Sequence, residues 1–119
     1  MDIHFITNCE IEPDVDCLII PAWDDAVVTA INSPLISTED QTALQLIHES
    51  GVLCGKENFY FPTPLSAYRG ILIMGLGKKE GDLANKFRQA TGKCVQLLKK
   101  MKKHHLLLEL EHLPELAPQ

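Results

Sequence analysis

Apolar residues fall along the chain in short unbroken runs set between polar, proline-bearing and glycine-bearing breaks, and two longer stretches carry helical spacing. Cys17-Leu18-Ile19-Ile20 and Gly70-Ile71-Leu72-Ile73-Met74-Gly75 are continuously apolar, the mark of strands buried on both faces. The first run is expected to stop at Pro21 and the second at Gly75-Leu76-Gly77. Alternation of Ile3 and Phe5 with Asp2 and His4 predicts a strand over residues 2–7. Asn58-Phe59-Tyr60-Phe61 has strand composition up to Pro62, and residues 106–110 make a last strand around Leu106-Leu107-Leu108.

Two helices follow from period and capping. Thr38-Glu39-Asp40-Gln41 fits a capping box, Ala43, Leu44, Leu46 and Ile47 form an apolar stripe, and Gly51 supplies a stop, giving a helix over 39–50. Leu83, Phe87, Ala90, Cys94, Leu97, Leu98 and Met101 recur at helical spacing over 82–102, with Asp82 as N-cap and lysines at the far end. Residues 22–37 read equally as a short strand or a helical turn, with Pro34 limiting either. The strand–helix–strand unit over 70–110 is a βαβ crossover, so its two strands are expected to run parallel with a right-handed connection.

These elements define one α/β domain, a size that 119 residues suits. Hydrophobic residues make up 45% and charged residues 23%, which sets disorder aside. A net charge of -5 opposes general binding to nucleic acid or an anionic membrane, since the summed field repels phosphate. The start of the chain has no basic signal-like region, and no apolar run reaches the length of a membrane span, so a cytoplasmic protein is expected.

Chemistry-bearing residues are scattered. Cys9, Cys17, Cys54 and Cys94 contain no C-x-x-C pair and read as reduced thiols. His4, His48, His104, His105 and His112 include no metal-binding pair at helical spacing. Asp24-Asp25 stands at the end of a strand but has no base or nucleophile beside it in the sequence, and no serine has a G-x-S-x-G setting. Lys99, Lys100, Lys102 and Lys103 read as a solvated helix end. Gly75-Leu76-Gly77-Lys78-Lys79 sits between a strand and a helix, where anions often bind. It lacks both the dinucleotide and the Walker pattern, and Glu80 would face any anion. The segment therefore reads as a structural turn or as an anion loop built on Gly75, Gly77 and Lys78. No catalytic residue and no metal ligand is identified.

The succession Gly55-Lys56, Asn58–Phe61, Arg69-Gly70-Ile71-Leu72-Ile73-Met74-Gly75-Leu76-Gly77-Lys78-Lys79 and the helix from Phe87-Arg88-Gln89-Ala90 onward resembles the N-terminal domain of the leucine aminopeptidase (cytosol aminopeptidase) family. The likeness spans residues 1–110, more closely in the second half, and departs from the family pattern over 24–37. The resemblance implies a three-layer, macro-domain-like fold, a mixed β-sheet flanked by helices, over residues 1–112. It makes 113–119, with Pro114 and Pro118, the opening of a linker to a C-terminal catalytic domain.

In that family, two divalent metal ions in the separate catalytic domain carry out peptide hydrolysis. Its Asn-Thr-Asp-Ala-Glu-Gly-Arg signature does not occur in this sequence, so no catalytic residue carries over. The function implied is that of a non-catalytic domain serving assembly or substrate access in a hexameric metallopeptidase. Its partners would be the peptidase domain and neighbouring subunits of a homo-oligomer. The alternative is a free-standing macro-like module for ADP-ribose or a related nucleotide. Leu110, Leu113 and Leu116 recur every third residue and read either as an association surface, predicting weak dimerisation of the isolated domain, or as a tail that folds back on its own sheet or stays disordered.

Overall fold

The computed structural model describes residues 2–6 as backbone and residues 15–63, 69–103 and 105–109 in full. Five strands form one sheet: β1 (Asp2–Ile6), β2 (Cys17–Trp23), β3 (Phe59–Pro62), β4 (Gly70–Gly77) and β5 (His105–Glu109). Their spatial order is β1-β5-β2-β4-β3. β1, β5, β2 and β4 run parallel, while β3 is antiparallel to β4, so the sheet is mixed. The crossover from β4 to β5 passes over β2, to which both strands pair. Residues 7, 110 and 113–119, with Leu110, Leu113 and Leu116, lie outside the described residues, as does Cys9.

Side-chain alternation sends β2 residues to two separate cores. Leu18, Ile20 and Ala22 face a cluster closed by α1 (Val27–Ile31) and α2 (Thr38–Glu49). Cys17, Ile19 and Trp23 face the other, closed by α3 (Leu83–Lys100) through Ala90, Cys94 and Leu98. β4 and β5 divide the same way, Ile71, Ile73 and Leu107 against Leu72, Met74, Leu106 and Leu108. All seven β2 residues are buried, which is why the sequence there is continuously apolar.

Several boundaries differ from the sequence expectation. β2 does not stop at Pro21 but runs through it to Trp23. The β4 ladder continues across Pro21 to Trp23–Gly77, whereas among the described residues the pairs with β5 end at Ile19–Leu108. Trp23 is 1% exposed, and burying so large a side chain stabilises the fold by up to about 4–6 kcal/mol. The ambiguous stretch after it is the short helix α1, which buries Val27, Ala30 and Ile31.

The capping residue of α2 is Ser37, not Thr38: the Ser37 hydroxyl accepts from Asp40 N–H at 3.2 Å. Gln41 does not reach back to a cap but donates to the Ser33 and Ile36 carbonyls, holding the helix against the preceding loop. The apolar stripe is narrower than its spacing suggests, since Leu44 is buried but Leu46 is 63% exposed. Gly51 ends the helix in the left-handed conformation, φ 88°. α3 follows its prediction closely: Asp82 accepts from Asn85 N–H at 3.1 Å, and the helix ends at Lys100 rather than 102. Among the described residues no helix is long and apolar enough to cross a membrane.

Candidate functional site

Backbone hydrogen bonds join the carboxyl end of β4 to the end of β2 and to the turn before β3. Gly77 N–H donates to the Gly55 carbonyl at 2.9 Å, and Asp24 N–H donates to the Gly77 carbonyl at 2.9 Å. The glycines make this possible. Gly55 and Gly77 both adopt φ 75°, and a Cβ at Gly55 would stand 2.8 Å from the Asp24 Cα. A Cβ at Gly75 would stand 2.5 Å from both the N and the O of Glu57. The loop carrying Lys56 and Asn58 therefore lies directly over the end of β4.

Between this loop, the end of β4 and one flank of α3 lies an open cleft of about 490 Å³. Gly75, Gly77 and Lys78, the anion-loop candidates, all line it. The structure adds what the linear reading missed: Lys56 from the loop, and Lys86 and Lys93 from α3. Positions 86, 89, 90 and 93 recur at helical spacing, so Lys86, Gln89, Ala90 and Lys93 present one stripe to the cleft. Their helical period was legible, but which face met the loop depended on tertiary packing. Lys86 Nζ donates to the Lys78 carbonyl at 2.6 Å, tying the helix to the loop after β4.

Charge in the cleft is one-sided. Four lysines line it against a single carboxylate, Glu57. Glu80, expected to face an anion, is exposed and does not line the cleft. Among the described residues, none of the four lysines makes an ion pair. The C-terminal lysines of α3 stand apart: Lys99 and Lys100 are exposed, and Lys103 Nζ lies 6.0 Å from the centre of the Tyr60 ring.

Other candidates have structural settings. Asp24 is half-buried and Asp25 exposed beyond β2, and neither lines the cleft. His48 Nδ1 lies 2.6 Å from the Leu53 carbonyl, a hydrogen bond that closes the turn after α2. Cys17 and Cys94 are free and buried, and Cys54 is free and exposed. Burial pushes the Cys17 thiol up to about 12, with Cys94 adding to the effect, and burial does the same to Cys94. Both remain protonated and unreactive at neutral pH. Among the described residues no group of three or more His, Cys, Asp or Glu side chains is placed to hold a metal ion.

Two polar contacts, one buried and one partly buried, escaped the sequence reading. Ser33 Oγ lies 3.4 Å from Glu109 Oε2, both residues buried, joining the loop after α1 to the end of β5. Buried Thr63 donates to Asp40 Oδ2 at 2.6 Å, joining the end of β3 to the first turn of α2.

Neither the models of known protein families nor the curated proteins give a match to this chain.

Proposed function

We propose that the chain is a non-catalytic accessory domain of the leucine aminopeptidase type, acting in assembly or substrate access beside a two-metal peptidase domain. The observation that carries this reading is the succession of elements around the Gly55 turn. A Gly-Lys turn precedes a short strand, an apolar strand ends in Gly-Leu-Gly-Lys, and a long helix and a last strand follow. The backbone bond between Gly77 and Gly55 gives that succession a physical purpose, since it fixes both glycine motifs to one sheet end. On this reading the layers are macro-domain-like, and the partners are the peptidase domain and further subunits of a homo-oligomer in the cytoplasm.

Two measurements test it. Sequencing the transcript beyond codon 119 is expected to reveal a two-metal peptidase signature in the same frame or in an adjacent gene, and absence from both would overturn the reading. The pure chain is expected to leave leucyl substrates intact with added zinc, manganese or magnesium, because two-metal hydrolysis needs carboxylates grouped around both ions. Metal-dependent turnover free of contaminating peptidase would equally overturn it.

A further inference from the structure

We infer that the cleft over the end of β4 is a binding site for an organic phosphate carrying at least two negative charges. The chain as a whole is acidic, with a net charge of -5, yet this cleft gathers Lys56, Lys78, Lys86 and Lys93 from three separate segments. Ammonium groups so gathered repel one another, and the usual relief is a neighbouring carboxylate. Among the described residues none of the four has one in an ion pair. Lys86 instead is held at the cleft by a neutral acceptor, the Lys78 carbonyl. Its charge is thereby fixed in place without being cancelled, an arrangement that a bound anion would complete.

The size and lining of the cleft narrow the ligand. About 490 Å³ is far more than a lone phosphate fills and lies within the range of small-molecule sites. Asn58 and Gln89 add neutral hydrogen-bonding groups, while buried Leu76 and Ala90 supply apolar surface for an organic portion. The lysines provide charge rather than the rigid fork of an arginine, which suits a flexible di- or triphosphate more than a single planar carboxylate.

The test uses the pure full chain and does not depend on its being an aminopeptidase domain. Amide chemical shifts are followed at low ionic strength during titration with pyrophosphate, ADP, AMP and adenosine. The expected result is saturable movement of the amides of residues 75–78 and 86–93, with ADP tighter than AMP and pyrophosphate, and adenosine inert. A Lys86→Glu, Lys93→Glu pair is expected to weaken ADP by at least about tenfold. A Lys99→Glu, Lys100→Glu pair, making the same charge change farther along α3, is expected to leave it unchanged. Should the first pair fail to fold, Lys56→Gln with Lys78→Gln is read in its place. The site is refuted by no saturable movement at millimolar ligand, by equal loss in both charge-reversed pairs, or by ADP binding no tighter than pyrophosphate.

Discussion

Gly75 lies under the backbone of Glu57, so closely that a Cβ at position 75 would stand 2.5 Å from the Glu57 nitrogen and oxygen alike. The obstacle is main chain, which cannot swing aside as a side chain can. Gly75→Ala is therefore expected to lift the 55–58 loop from β4 and to destabilise the fold by about 1–3 kcal/mol. Urea unfolding measures the loss. An alanine variant as stable as the parent would mean that the loop yields freely. Gly77→Ala meets no neighbour within 4 Å, and its cost is instead that of the left-handed backbone, roughly 1–2 kcal/mol.

Ser37 and Thr38 offer a sharper comparison, because the sequence pointed to Thr38 as the cap of α2 and the structure gives that place to Ser37. The Ser37 hydroxyl makes the capping bond to Asp40, whereas Thr38 is already helical and exposed. Ser37→Ala is expected to cost about 1 kcal/mol and Thr38→Ala clearly less, both read from thermal or urea midpoints. Equal costs, or the reverse order, would contradict the assignment.

The buried thiols predict an alkaline limit on stability. In the unfolded chain they ionise near 9, while the folded protein holds both up to about 12. A raised folded value means that the neutral thiol is favoured in the native state. Its contribution is thus complete below pH 9 and is lost as pH rises from 9 toward 12. Each thiol adds up to about 1.4 kcal/mol per pH unit to that decline. The Cys17→Ala, Cys94→Ala variant starts less stable but is expected to show a shallower slope across this window. An unchanged slope would show that other groups set the limit.

The parts of this fold legible in the sequence are those in which local signals and tertiary demands coincide. α3 is the best example: Asp82 caps it, and Ala90, Cys94 and Leu98 keep one face in register with the core. Burial on both faces likewise made β2 and β4 plain. Pro21 misled because a proline's effect depends on which neighbour its missing N–H would have met, and only pairing reveals that. Leu46 misled because spacing identifies a stripe but not how wide a strip the sheet covers. The Gly75–Lys78 half of the cleft was visible as the junction of a strand and a helix, although the turn expected there is strand as far as Gly77. Lys56 and Lys93 were not, since 37 positions separate them and only the tertiary fold brings the turn before β3 against that face of α3.

The strand order has a consequence for how the chain holds together. β1, β2 and β3 all precede residue 63, whereas β4 and β5 follow residue 69, and across the sheet they alternate between the two halves. Every ladder in the sheet thus joins one half of the polypeptide to the other, like the fingers of two clasped hands. Among the described residues neither half alone possesses a native strand pair, and such distant pairing makes assembly slow and all-or-none. Two fragments divided between residues 63 and 70 are expected to be unstructured apart and to regain the buried environment of Trp23 when mixed. The protein should therefore survive a backbone cut in that connection while failing to survive the loss of either piece.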